Sequence, residues 1–186
     1  MSKVLIACGL AASLVLPAGA LAVKPVDKTN ASKECRAERG SDSATQEAFR
    51  VKYGTNANGR NAFGKCVSQK AKEEAAERKA AKVKAAKECR AERALDAGAF
   101  AEKYGTNENN KNAFGKCVSG KAKTIRQNQD AADAQVIEAT KNAAKECDEE
   151  RGDTAETEAA FQETYGTNKN KKNAFGKCVS GKTHES

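Results

Sequence analysis

The chain is 186 residues long, carries 33 basic against 25 acidic side chains for a formal net charge of +8, and has one histidine and no tryptophan. That histidine, His184, lies near the C-terminus, which leaves no Ser/His/Asp or Cys/His arrangement for nucleophilic catalysis. Beyond residue 22 no apolar run is long enough to cross a membrane.

Met1-Ser2-Lys3 is a short positive start, followed by the apolar run Val4–Leu16 and then by Pro17-Ala18-Gly19-Ala20-Leu21-Ala22. This order of charge, apolar stretch and small-residue site predicts a signal peptide over 1–22, cleaved after Ala22, and a secreted, extracellular or periplasmic product. A rival reading takes Leu5-Ile6-Ala7-Cys8 as a lipoprotein box, but it would leave almost no apolar run before the cysteine. Asn30-Ala31-Ser32 fits a glycosylation sequon, relevant only in a eukaryotic host.

From residue 31 onward the chain repeats itself. The block Y-G-T-N-x-N-x-K/R-N-A-F-G-K-C-V-S stands at Tyr53–Ser68, Tyr104–Ser119 and Tyr165–Ser180. Upstream of each copy lies Lys-Glu-Cys (Lys33–Cys35, Lys87–Cys89, Lys145–Cys147), with Arg39, Arg93 or Arg151 four residues after the cysteine. An F-x3-Y pair follows in each case, Phe49/Tyr53, Phe100/Tyr104 and Phe161/Tyr165. Such internal periodicity marks one small supersecondary unit used repeatedly. The expected organisation is an N-terminal tail over 23–30, module 1 over 31–70, a helical connector over 71–84, module 2 over 85–121, a connector over 122–141, module 3 over 142–182 and a tail over 183–186.

Loss of the leader removes Cys8 and leaves six cysteines, two per module. In an oxidising compartment an even count at repeated positions reads as a disulfide framework, and pairing within each module is economical: Cys35–Cys66, Cys89–Cys117 and Cys147–Cys178. Zinc is the competing use of cysteine, but there is no C-x-x-C and the sole histidine sits in the tail. No metal and no cofactor is expected. A unit of about 40 residues lies near the lower limit for a self-supporting core. Closing its loop contributes roughly 3–4 kcal/mol on the chain-entropy account, so reduction is expected to unfold the modules.

The local pattern is helical throughout, and the expected fold class is all-α: three disulfide-stapled helical modules in tandem. Ala, Glu, Lys and Arg dominate around Ala31–Arg39, Ala85–Arg93 and Ala143–Arg151. Phe49 and Tyr53 are four apart and share a helix face. Gly54 suits a left-handed cap that ends this helix, and the Asn-rich segment after it suits a loop. Asn61 is expected to cap a third helix whose Phe63, Cys66 and Val67 share a face. Gly64, Gly115 and Gly176 in the first turn of that helix suggest close packing of another group. With helices one and three antiparallel, Glu34 is expected near Lys65 and Arg39 near Phe63. The same holds for Glu88, Lys116 and Arg93, and for Glu146, Lys177 and Arg151.

The connectors read as helix too. Lys70–Lys84 contains no Gly or Pro, and Val83 is its only large apolar residue, as in a solvated spacer. Ala122–Lys141 is less uniform, and Asn128-Gln129-Asp130 is its candidate break. Helix three of one module is expected to run through the connector into helix one of the next. The extended form is a set of beads on a helical rod, and the alternative folds the connectors back into one bundle.

The Y-G-T-N…F-G-K-C-V-S block resembles a repeat of secreted bacterial proteins, over most of the mature chain. That family has no assigned activity, so the resemblance implies export and modular construction only.

Gly54–Asn61 approaches the phosphate-binding G-x4-G-K-S/T pattern, but its second glycine becomes Asn110 and Lys171 in the other copies and no strand precedes it. Glu34/Glu38, Glu88/Glu92 and Glu146/Glu150 are carboxylates four apart, read as a solvated face among many cations rather than as an acid–base pair. The T-N-x-N loops lack the carboxylates of a calcium loop. No helix pairs a large apolar face with a basic one, which disfavours membrane disruption.

The basic excess points to binding. Residues 31–70 hold eight basic and four acidic side chains, 85–121 seven and five, 142–182 seven and eight, yet the loop and third helix are basic in every copy. Loop amides, Asn side chains and cations facing one way suit an anion. The candidate anion-binding residues are Asn58, Arg60, Asn61 and Lys65; Asn109, Lys111, Asn112 and Lys116; and Asn170, Lys171, Lys172, Asn173 and Lys177. The expected protein is a non-enzymatic, multivalent binder whose partners are anionic polymers: envelope glycopolymers, acidic glycans or extracellular DNA. The alternative is a structural spacer of the envelope or extracellular space with no specific ligand.

Overall fold

The structure, a computed structural model, describes residues 22–185. The expected leader lies outside them, apart from Ala22 at its proposed cleavage site. Among the described residues the elements are α1 (Pro25–Arg39), α2 (Ser43–Tyr53), α3 (Ala62–Leu95), α4 (Ala97–Tyr104), α5 (Ala113–Arg151), α6 (Ala155–Tyr165) and α7 (Ala174–Glu185), with no strand. The first helix begins six residues ahead of the expected module, because Pro25 suits a helical start and the Lys24 amide donates to the Asp27 carboxylate at 2.7 Å.

Each module is a long-helix hairpin with a short helix in its turn: α1/α2/α3, α3/α4/α5 and α5/α6/α7. The disulfides are Cys35–Cys66, Cys89–Cys117 and Cys147–Cys178, each joining the two long helices of one module. The connectors are unbroken helix. Leu95 ends the 34-residue α3, Arg151 ends the 39-residue α5, and Asn128-Gln129-Asp130 passes without interruption.

The extended rod is not formed; the helices fold back on one another. Partners run in opposite directions along α1 and α3, where Cys35 meets Cys66, Glu34 meets Lys70, Asn30 meets Glu74 and Asp27 meets Arg78. They do so again along α3 and α5, where Cys89 meets Cys117, Ala81 and Ala85 pack with Ala122, and Glu74 meets Arg126. Cys147 with Cys178 and Glu146 with Lys182 give α5 and α7 the same antiparallel sense. Alanine drives this. Ala71, Ala75, Ala81 and Ala85 on α3 are buried, as are Ala122, Ala143 and Ala144 on α5. Small side chains let helix axes approach, so a polar-looking connector still carries a packing seam.

The alternating helices place the turns. The α1–α3 turn with α2 and the α5–α7 turn with α6 lie at one end, while the α3–α5 turn with α4 lies at the other, about 50 Å away by the length of α3. At the shared end module 1 docks on module 3. Ala44 and Ala48 of α2 join Ala143, Ala144, Phe175 and Val179 in one core, and Arg151 pairs with Glu47 at 2.9 Å.

Gly176 belongs to that contact: a β-carbon there would lie 2.7 Å from Val51 Cγ1. Gly64 and Gly115 have nothing within 4 Å of such a position, so the close packing expected in all three copies holds in the third alone.

The loops and their latches as a candidate functional site

Each module ends in an aromatic cluster under a loop. Phe49 and Tyr53 sit one helical turn apart with ring centroids at 5.0 Å, and their counterparts Phe100/Tyr104 and Phe161/Tyr165 are at 4.9 Å. The guanidinium of Arg39 lies 5.6 Å from the Phe63 ring centre, with Arg93–Phe114 at 5.2 Å and Arg151–Phe175 at 4.8 Å. The expected neighbourhood of the arginine is therefore present three times.

The expected Glu34–Lys65 pair is not. Glu34 reaches Lys70 at 3.0 Å, one turn further along α3, and Lys70 also lies 3.9 Å from Glu38. Glu88 and Glu92 share Lys121, and Glu146 and Glu150 share Lys182. The tyrosine completes this latch: Tyr53 donates to Glu38 at 2.9 Å, Tyr104 to Glu92 at 2.9 Å and Tyr165 to Glu150 at 2.7 Å. The carboxylates four apart thus clamp a lysine in every copy; Glu38 is buried, while Glu146 and Glu150 of module 3 remain exposed as the sequence suggests. Burial and the Glu38 charge push the Tyr53 hydroxyl well above its ordinary range. Burial opposes the Lys70 ammonium, but the Glu34 and Glu38 carboxylates outweigh it and hold its pKa above the usual value. In module 2 the Lys103 ammonium draws the half-buried Glu92 down to about 2. A lysine four residues after the second cysteine of every copy is the signal that would have exposed this latch in the sequence.

Above the latch the loop is closed by its own asparagines. Thr55 N–H donates to Asn61 Oδ1 at 3.1 Å, Asn61 Nδ2 donates to Thr55 Oγ1 at 2.7 Å, and Arg60 N–H donates to Asn58 Oδ1 at 3.1 Å. The pattern recurs for Thr106/Asn112 with Asn109/Lys111, and for Thr167/Asn173 with Asn170/Lys172. Asn61 therefore ties the loop ends together and gives α3 no side-chain cap, contrary to expectation. The left-handed residue is also elsewhere. Gly54 is extended (φ −71°), while Gly59, Asn110 and Lys171 take φ of +62°, +52° and +54°. Gly54 is needed for close approach, since a β-carbon would lie 2.5 Å from the Arg50 carbonyl and 2.8 Å from Gly59 Cα.

The candidate residues thus divide. Asn58, Asn61, Asn109, Asn112, Asn170 and Asn173 build the loop. Lys171 turns inward, donating to the Gly166 carbonyl at 3.1 Å and lying 3.5 Å from Glu163. Arg60 and Lys65, Lys111 and Lys116, and Lys172 and Lys177 are exposed, and no carboxylate among the described residues pairs with them. Two such cation pairs lie at the end shared by modules 1 and 3, and one at the opposite end.

A second polar centre lies mid-bundle, where α1, α3 and α5 meet. Buried Asp27 receives Arg78 Nε at 3.0 Å and Nη2 at 2.9 Å, and the guanidinium holds its carboxyl below the ordinary range. Buried Glu74 accepts from Asn30 at 3.4 Å and from Arg126, and burial with the neighbouring Glu34 carboxyl pushes it up to about 7. Among the described residues no group of three or more His, Cys, Asp or Glu is placed to hold a metal ion.

Fold and loops together define a folded-back bundle of three disulfide-stapled helical hairpins with basic, self-closed loops at both ends. No protein-family model, curated protein or solved structure matches this chain.

Proposed function

We propose that this is an exported, non-enzymatic repeat protein that holds anionic polymers at both ends of its bundle. Envelope glycopolymers, acidic glycans and extracellular DNA are the partner chemistries. The observation that carries this reading is the recurrence, in every module, of two exposed cations without an acidic partner on a rigid loop–helix corner. Rigid loops present charge at little entropic cost on binding. Several weak sites on one chain gain avidity on a polymer that a single site lacks. Export is supported by the leader-like sequence over 1–22 together with three formed disulfides.

The test is retention of the oxidised mature protein on heparin and on isolated cell envelope under rising salt. A six-site variant, with Arg60, Lys65, Lys111, Lys116, Lys172 and Lys177 changed to Ala, is run beside it. Retention well above physiological salt that collapses in the variant is the expected result. Elution of both proteins at or below physiological salt would sink the reading. The spacer reading then takes its place; the six candidate asparagines, each engaged within its own loop, favour it.

A further inference from the structure

Docking of module 1 on module 3 leaves a cleft between α2, α5 and α7 that encloses about 490 Å³. Pockets of this size, apolar within and polar at the mouth, suit small organic ligands. Its floor is apolar: Phe49 from α2, Ala144 from α5 and Val179 from α7 are all buried. Its walls carry Val51 of α2 at 47 % and Val136 of α5 at 56 % exposure, two β-branched side chains open to water. An unfilled apolar cleft loses contacts on one side and leaves those valines in water.

The rim has a sign. Lys52, Lys141 and Lys177 line it against one carboxylate, Glu38, which Lys52 already engages at 2.5 Å. Lys141 is paired with Glu138 at 2.8 Å, whereas Lys177 is exposed and pairs with no carboxylate among the described residues. The complement of such a site is an apolar tail ending in a negative head. We propose that this cleft binds a single-chain anionic amphiphile, a long-chain carboxylate, with the tail between Val51 and Val136 and the head at Lys177. The site shares only Asn173 and Lys177 with the basic loops, and its apolar part shares none, so blocking the cleft at Val136 tests it separately from them.

The probe is dodecanoate below its micelle concentration, titrated by calorimetry into the full mature protein. Wild type is expected to bind one equivalent. Val136→Trp fills the cleft from a half-exposed position, so the fold tolerates it; dodecanoate binding should weaken at least tenfold while heparin retention stays unchanged. Lys177→Glu should weaken dodecanoate about fivefold or more, and Val83→Trp, exposed on α3 away from the cleft, should leave it unaltered. The cationic dodecyltrimethylammonium should not bind. Absence of dodecanoate binding, equal binding by Val136→Trp, or equal binding of the cationic amphiphile would each overturn the proposal. So would a wild-type dimer at micromolar concentration that Val136→Trp abolishes, since it would assign the cleft to a second copy of the chain.

Discussion

The same glycine does different work in the three copies. Gly64, Gly115 and Gly176 occupy equivalent places in the first turn of a helix, where glycine is worth up to about 1 kcal/mol less than alanine. Open space surrounds the first two, so Gly64→Ala and Gly115→Ala should each raise stability by up to about 1 kcal/mol in urea unfolding. Gly176→Ala should gain nothing or lose, because its methyl meets the stiff Val51 side chain at 2.7 Å. Equal gains at all three positions would show that module 1 does not dock on module 3 in solution. The loop asparagines and Gly54 likewise show residue types that the sequence marks clearly while hiding their task. Positive φ falls on Gly59, Asn110 and Lys171 rather than on Gly54, and each loop closes through an Asn–Thr pair six residues apart.

At the level of elements, helices, hinges and disulfides were legible because each has a local signal: helix formers, Gly and Asn clusters, and paired cysteines at repeated spacing. The back-folding was not. Its seam is alanine, which reads the same in a solvated helix as in a packed one, and its polar centre joins Asp27, Glu74, Arg78 and Arg126 across up to 52 residues of sequence. That centre makes a pH prediction. Glu74 on α3 faces Asn30 and Glu34 from α1 and Arg126 from α5, and its carboxyl is pushed from 4.5 up to about 7. Over that window the folded chain keeps a proton that the unfolded chain releases, so stability falls as pH rises from about 4.5 to 7. The drop is on the order of 3 kcal/mol. Glu74→Gln should flatten most of this slope in melts taken from pH 4.5 to 8. A smaller slope remains from Glu77 and Asp133, which burial also raises. An unchanged slope would mean that Glu74 is ionised throughout.

For the whole molecule, the consequence of back-folding is polarity of presentation. Modules 1 and 3 offer their loops at one end and module 2 offers its loop at the other, separated by the length of α3. A rod of beads would display all three along one line and wrap a single polymer. On the function proposed above, a two-ended bundle would instead join two polymers, a structural role carried out by binding.

Clumping of heparin-coated beads tests this most directly, with the wild-type protein compared against Lys111→Ala/Lys116→Ala, in which the lone loop at the module 2 end loses its charge. Wild type is expected to clump the beads, while the variant still coats them through modules 1 and 3 but leaves them dispersed. Clumping by the variant equal to wild type, or wild-type protein that coats the beads without joining them, would contradict this expectation.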